Sequence, residues 1–515
     1  MLLKQNISRV IQTTGIAMVV STASIACAST QRDEKKLELP NVILLMGDDH
    51  GWDETGYNGH PFVKTPVLDE MAASGLRFDR FYAAHPNCSP TRGSLLTGRH
   101  PVRYGTFSAN WSIRPEEISI AHILKNAGYV SAHFGKWHVG PVKKESPTSP
   151  GAMGFDEWLS HDNFFEMDPV LSRNGEEPEM IKGEGSEVII DETIRFIERS
   201  KQKNKPFMAV VWFGSPHEPY SGLPEDLALY DNLPDSLAKK EVALTSNETG
   251  NKVVRPLREV LQERYAEITA MDRAIGKLRA FLKDNNLKEN TLIMYCGDNG
   301  TCASAAHTGS TLREQKGSLY DGGVRVPGVL EWPSVIKKPA STSAVSVTTD
   351  FLPTLAELVG QQTPERPIDG ISLVPLFNNP LLQRPKPLCF WQFEPEKVFT
   401  EKSQPYINPA LQEGTTPLKK MMRGKFTRSF QNNIYTQISE KDFSGERTII
   451  KGNYKLVLQG QTPNSKGFEL YDLQNDPAEK KNLADSNQEM VKTMQDELRT
   501  WQESVLKSLI GEDYK

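Results

Sequence analysis

Asp48-Asp49 and Asp298-Asn299 are two oxygen-rich pairs. Each sits just behind a short apolar run, Val42-Ile43-Leu44-Leu45-Met46 for the first and Leu292-Ile293-Met294-Tyr295 for the second. Carboxylate and amide oxygens suit a hard cation such as calcium or magnesium. A zinc site calls for histidine or cysteine; neither pair contains one, although His50 adjoins the first. A single acidic pair at a strand end also fits a helix cap or a turn; two pairs in the same context point to a metal. A thiol lies in Cys88-Ser89-Pro90-Thr91-Arg92-Gly93-Ser94-Leu95-Leu96-Thr97-Gly98-Arg99. Pro90 suits the first turn of a helix and Ser89 its cap. Cys88 is therefore expected at a helix N-terminus, where backbone N–H groups and the dipole favour an anion. Arg92, one turn on, can point back at it. The expectation is a thiol in an electropositive, anion-binding place; the alternative is an incidental buried cysteine.

Two more apolar runs end in polar clusters: residues 129–134 before Gly135-Lys136-Trp137-His138, and 207–213 before Ser215-Pro216-His217. None of the runs alternates cleanly between polar and apolar, so they are expected to be strands covered on both faces. Amphipathic helices are predicted between them over 118–128, 187–199 and 260–285. The fold class is therefore α/β, a large mostly parallel sheet sandwiched by helices. Ligands bind beyond the carboxyl ends of such strands, so the four clusters are expected to meet at one rim. Beyond residue 394 the chain turns polar, irregular and locally basic (Lys419, Lys420, Arg423, Lys425, Arg428). Short strands over 454–458 and 468–473, a turn at Asp476-Pro477 and a helix from Asn487 to about Leu509 then predict a small α+β unit. The predicted layout is a signal peptide over 1–28, a catalytic α/β domain over 35–393 and a C-terminal subdomain over 394–515.

The 515 residues carry a net charge of −5, which argues against a nucleic-acid binder. An acidic protein can still hold a local basic pocket for an anionic substrate. Lys4 and Arg9, the small apolar stretch 15–26 and Ala26-Cys27-Ala28 have the form of an export signal, so the expected location is periplasmic or secreted. Cys27 allows a lipid-anchored alternative, which Ser24 disfavours. No later run is long and apolar enough to span a membrane. Cys88, Cys296, Cys302 and Cys389 match no zinc pattern and no disulfide framework. A Cys296–Cys302 bridge and buried free thiols both remain open.

The Cys88-x-Pro-x-Arg92 segment resembles the signature of the type I sulfatases, in which a maturation enzyme converts the cysteine to formylglycine. The resemblance extends to Asp48-Asp49, Gly135-Lys136-Trp137-His138, Ser215-Pro216-His217, Asp298-Asn299-Gly300, Lys316-Gly317, Tyr320-Asp321-Gly322-Gly323 and Glu469-Leu470-Tyr471-Asp472-Leu473. It implies one calcium ion held by Asp48, Asp49, Asp298, Asn299 and an oxygen of the modified Cys88. Arg92 would orient the formylglycine hydrate. Lys136, His217 and Lys316 would hold sulfate oxygens or the leaving group, with His217 or Lys316 protonating the departing alkoxide. His138 would hydrogen-bond the hydrate and act as base when sulfate is expelled from a covalent intermediate. Two rivals stand beside this reading: a phosphodiesterase or phosphonate monoester hydrolase of the same superfamily, and a catalytically dead glycan-binding relative. The resemblance favours glycan sulfatases, with a galactan such as carrageenan as the expected substrate. Candidate specificity residues are His161, Asp162, Asn163, Glu166, His307, Arg313 and the basic 419–428 stretch. Each fits a solvated loop as well.

Overall fold

The computed structural model describes residues 39–165, 167–245, 251–305, 308–394, 404–417, 429–460 and 467–515. Ten strands form one sheet, in the order Ala340–Thr342, Leu76–Phe78, Gly328–Glu331, Thr291–Gly297, Asn41–Gly47, Phe207–Trp212, Val130–Lys136, Glu157–His161, Val170–Arg173 and Glu179–Met180. The five central strands, from Thr291–Gly297 to Glu157–His161, run mutually parallel. Antiparallel pairings flank them on both sides.

Both faces of the central strands are buried, which is why their sequences show no polar alternation. Val42, Leu44 and Met46 join one hydrophobic cluster with Leu95, Leu96 and Ile120. Ile43 and Leu45 join the opposite one with Ile189, Phe196, Met271 and Ile275. The latter come from the helices Gly185–Gln202 and Leu257–Asp284, whose apolar stripes cover that face.

A second sheet is antiparallel, in the order Leu388–Trp391, Arg447–Lys451, Tyr454–Leu458, Phe468–Asp472. Its first strand precedes residue 394. The helix Gln488–Leu509 covers one face through Val491, Met494 and Leu498 against Ile449, Leu456 and Leu470. The other face packs Phe390, Ile450 and Val457 onto Tyr82, Leu319 and Val324. Lys455, fully buried at this junction, pairs with Asp321 and Glu479 at 2.8 Å each. The Tyr320-Asp321-Gly322-Gly323 motif thus fastens the small sheet to the large one.

Two sequence expectations need correction. The helix after residue 87 begins at Cys88 with Asn87 as its cap residue; Ser89 does not cap it, and its Oγ instead accepts from the Asn110 N–H at 3.1 Å. Lys136 is the last residue of its strand and does not lie beyond it. Cys88, Cys296, Cys302 and Cys389 are all unbridged thiols.

Candidate functional site

Gly47, Gly297, Lys136 and His161 end neighbouring parallel strands, and Trp212 ends another between them. Asp48-Asp49, Asp298-Asn299, Trp137-His138 and Ser215-Pro216-His217 therefore leave the sheet at one rim. The strand ends approach closely: a Cβ on Gly297 would lie 2.1 Å from the His50 carbonyl oxygen. Only glycine permits that contact.

Asp48, Asp49, Asp298 and Asn299 are all buried. The Asp49 N–H donates to Asp298 Oδ1 at 2.9 Å, and Asn299 Nδ2 donates to Asp49 Oδ1 at 2.8 Å. Asp49 is held at φ +61°, a conformation that costs a non-glycine residue free energy and recurs at functional sites. Three cations face the three carboxylates. Arg92 donates to Asp298 Oδ2 through Nη2 (2.6 Å) and Nε (3.1 Å), with Nη1 on the Lys136 carbonyl at 3.0 Å. Lys136 Nζ donates to Asp48 Oδ2 at 2.6 Å, and Lys316 Nζ to Asp49 Oδ1 at 2.5 Å. Cys88, 2% exposed, is the first helical residue beside this cluster. Single ligand atoms of Asp48, Cys88 and Asp298 lie within 4.8 Å of one another, as do those of Asp48, Asp49 and His217.

The electrostatics are uneven. Burial and the neighbouring Asp48 push the Asp298 carboxyl up to about 6, against the pull of Arg92 and Lys136. Burial also works to raise Asp49, but Lys316, His217 and Lys136 together hold it well below the usual carboxylate range. Burial opposes the charge on Lys316, yet Asp49, Cys88 and Asp48 keep its ammonium protonated far into the alkaline range. Burial pushes the Cys88 thiol up despite Lys136 and Lys316. The residue is therefore an un-ionised thiol even at a helix N-terminus beside two lysines. Burial lowers His138 well below its ordinary range, and it brings His217 down to about 3 against the attraction of Asp49.

A cation fits this cradle. Among the described residues, Asp48 Oδ1 and Asn299 Oδ1 are buried acceptors without a hydrogen-bond partner. Leaving such groups unmet is costly, and one hard ion would satisfy both. Three carboxylates against Arg92, Lys136 and Lys316 sum to zero, so a divalent ion would leave the site positive and ready for an anion.

The sequence profile described as Sulfatase matches residues 40–361, well over half of the chain. The chain belongs to the sulfatase family. An ulvan-active sulfatase of Formosa agariphila is 30% identical over 375 residues, 71% of each chain. The Homo sapiens N-acetylgalactosamine-6-sulfatase is 29% identical over 391 residues, 67% of each chain. Among solved structures, Ps i-CgsB in complex with k-i-k-neocarrahexaose superposes with a TM-score of 0.70 at 23% identity, covering 90% of this chain and 93% of that one. The phosphonate monoester hydrolase of Agrobacterium radiobacter shares the fold at a TM-score of 0.58 and 18% identity, covering 91% of this chain and 96% of that one. The protein is a sulfuric ester hydrolase.

Around the sulfatase centre, His138 sits at φ +57° with Nε2 3.1 Å from Asn110 Oδ1, while its buried Nδ1 has no partner among the described residues. His217 donates Nδ1–H to the Glu218 carbonyl, which leaves Nε2 3.8 Å from Asp49 Oδ2. His161 and Asn163 build a turn: the Asn163 N–H donates to His161 Nδ1 (3.0 Å), and Asn163 Oδ1 accepts from the Phe164 N–H (2.9 Å). Asp162 accepts from the N–H groups of Val142, Thr415 and Thr416, pinning the 404–417 segment. The Arg313 guanidinium is turned to the C-terminal sheet, donating to Tyr471 Oη at 2.7 Å and stacking on Tyr320 at 3.8 Å. That makes Arg313 a tether between the two sheets. Glu166, His307 and the basic residues of 419–428 lie outside the described residues.

Three contributors escaped the sequence reading. Arg264, in the middle of a long helix, bonds Glu54 and the carbonyls of Asp49 and Pro216. Asn110, at φ +64°, holds His138. Phe164 stacks flat on His217. No motif marks them. The internal Arg264 among apolar helix positions was the one signal, since a buried arginine demands partners.

Proposed function

We propose that this sulfatase hydrolyses sulfate esters of a sulfated glycan, a galactan of the carrageenan type in the first instance, using Cys88 as formylglycine beside one calcium ion. The observation that carries the reading is the placement of Cys88: a buried, protonated thiol at a helix N-terminus, among Asp48, Asp298, Lys136 and Lys316 and beside two orphaned oxygen acceptors. A protonated thiol is a poor nucleophile, so this position calls for conversion of the side chain. Calcium would be held by Asp48, Asp49, Asp298 and Asn299, and would supply charge neutralisation, while formylglycine would supply a hydroxyl nucleophile.

The chain's own residues do the rest. Arg92, locked to Asp298 and the Lys136 carbonyl, fixes the start of the helix against the carboxylates. Lys136 and Lys316 place two ammonium groups where sulfate oxygens would sit, matching a singly charged ester. Lys316 keeps its protons at neutral pH and is the better placed proton donor for a leaving alkoxide. His217 presents Nε2 to the same space. His138, neutral through burial and held by Asn110, has the free Nδ1 needed to accept a proton.

Several observations support the glycan. The relatives carry the names ulvan-active sulfatase and N-acetylgalactosamine-6-sulfatase, and a fold neighbour was solved with a neocarrahexaose. Export through the 1–28 leader and a formylglycine-generating partner complete the proposal. The intact cation cradle disfavours a dead glycan-binding relative. Release of inorganic sulfate from 4-nitrophenyl sulfate by the matured protein tests the chemistry. Hydrolysis of phosphonate monoesters with no sulfate release would replace it by the rival chemistry.

A further inference from the structure

Gln412 is 2% exposed, yet neither its Oε1 nor its Nε2 has a hydrogen-bond partner among the described residues. The Thr415 Oγ1, three residues on, is buried and unmet in the same way. A carboxamide carries an acceptor oxygen and two N–H donors, and burying it unmet lowers stability. An apolar side chain of the same size would fill the place without that loss, so folding alone gives no reason for glutamine here. The backbone around it is held against the catalytic rim. The Phe430 N–H donates to the Gln412 carbonyl at 2.8 Å, and the Phe430 ring meets the His138 imidazole edge to face, with centroids 6.1 Å apart. Before Gln412, the Ala410 carbonyl accepts from Lys143 Nζ at 2.6 Å. After it, the N–H groups of Thr415 and Thr416 donate to Asp162 Oδ2 at 2.6 and 2.7 Å. Asp162 follows His161, which pairs in register with Lys136. The stretch 410–416 thus crosses the rim between the loop carrying His138 and the strand end carrying Lys136, with Gln412 between its anchors. The floor of the site is closed to the same degree, since Cys88 and His138 are also 2% exposed. Low exposure therefore does not set Gln412 apart from groups that must meet substrate.

We infer that Gln412, assisted by Thr415, is a specificity-determining residue that binds neutral hydroxyl groups of the sugar carrying the sulfate ester. This rests on the glycan reading proposed above. A sugar hydroxyl both donates and accepts, so adjacent hydroxyls on one ring satisfy Oε1 and Nε2 together. The division of labour is chemical: Lys136 and Lys316 take the charged sulfate, and the carboxamide takes the uncharged ring. A site built to bond a hydroxyl discriminates against a substrate that lacks it, because its own polar groups are then left unmet. 4-Nitrophenyl sulfate has no sugar hydroxyl and draws nothing from Gln412.

The test uses fully matured enzyme and two substrates. One is 4-nitrophenyl sulfate. The other is whichever oligosaccharide of carrageenan, ulvan, chondroitin or heparin type the wild type desulfates fastest. Gln412→Met, which keeps the length and removes the amide, should lower kcat/KM on the oligosaccharide by about tenfold or more and leave 4-nitrophenyl sulfate within about twofold. Thr415→Val should show the same selectivity with a smaller loss. Among monodeoxy analogues of the sulfated sugar, one should close most of the gap between wild type and Gln412→Met, because the hydroxyl and the amide are then removed as partners. The Tm of Gln412→Met should rise, since an unmet buried amide has gone. A fall in Tm would mean that internal water meets the amide and that it holds the rim in place of binding sugar, which overturns the inference. Equal losses on both substrates, or oligosaccharide kinetics within about twofold of wild type, would overturn it as well. Failure of the glycan reading shows in the wild type alone: sulfate would be released from 4-nitrophenyl sulfate and from no oligosaccharide, and the inference would fall with it.

Discussion

Arg264 Nη2 donates to the backbone carbonyl of Asp49 at 2.6 Å, and Nη1 of the same guanidinium donates to the carbonyl of Pro216, also at 2.6 Å. One fully buried side chain thus ties the loop that carries Asp49 to the loop that carries His217. Its charge is balanced by Glu54, bonded through Nε (2.7 Å) and Nη2 (2.6 Å). Arg264→Met would leave Glu54 buried without its partner, a change that typically costs about 3–5 kcal/mol. Urea unfolding should show that loss, and turnover should fall with it. Lysine cannot span the carboxylate and both carbonyls at once, so Arg264→Lys should rescue neither. A methionine variant within about 1 kcal/mol of the parent would show that the two loops stand without this tie.

Cys88 carries the next expectation. In active protein, the peptide containing it should be lighter than the unmodified sequence by about 18 Da, the difference between a thiol-bearing CH2–SH and an aldehyde. Cys88→Ala should abolish turnover with little change in the unfolding midpoint, since only one small buried atom is lost. Full activity from protein whose Cys88 peptide has the unmodified mass would rule out the conversion.

The rim was legible in the sequence because its signals are local. Each apolar run stops at a glycine-rich or acidic cluster, and the parallel α/β pattern requires those ends to share one side. Asp48, Asp298, Lys136 and His217 follow from that alone. Arg264 and Phe164 were not legible, because their roles depend on partners far away in the chain, Glu54 for one and His217 for the other. Arg313 misled for the converse reason. It follows Asn299 closely in sequence, but the chain turns and spends its guanidinium on Tyr471 and Glu469. Ser89 resembles a cap if Pro90 opens the helix, but the helix opens two places earlier, at Cys88, within the range over which helix ends shift.

The pH dependence of metal-free protein should expose Asp298. Its folded-state carboxyl titrates at about 6, above the ordinary 3.8 of the unfolded chain. Between those values the folded state binds more protons, so stability falls as pH rises through the window. Asp49 is depressed, so its own slope has the opposite sign and fades above about pH 5, where its unfolded carboxyl is already ionised. A bound divalent cation requires ionised Asp298, so its affinity should climb across the same window, with protons released on binding. Melting curves from pH 4 to 7, with calcium and with chelator, should diverge progressively as pH increases. Asp298→Asn should remove the extra slope and the divergence together. Stoichiometric zinc in active enzyme would mean that His217 or Cys88 joins the ligand set and that the all-oxygen assignment is wrong.

The substrate is the last expectation. Three carboxylates and three basic side chains cancel, so a divalent ion sets the charge of the centre and favours an ester bearing a single negative charge. Lys136 and Lys316 lie against that charge, and beyond them the rim is built from the 404–417 segment, pinned by Asp162, and from Phe430 beside His138. Its exposed polar residues Gln404, Asn408 and Glu413 suit a hydrated sugar chain better than a compact aryl group. Defined oligosaccharides of carrageenan, ulvan, chondroitin and heparin type should therefore separate the possibilities, with sulfate release measured at two ionic strengths. The expected order places the galactose-configured chains first. Binding of the longer oligomers should weaken as salt rises, because they present several charges to the protein. Release from glucosamine or uronic-acid polymers with none from galactans would move the substrate assignment while leaving the sulfatase chemistry where the cradle puts it. Equal rates on every glycan and on 4-nitrophenyl sulfate would mean that the rim reads no sugar at all.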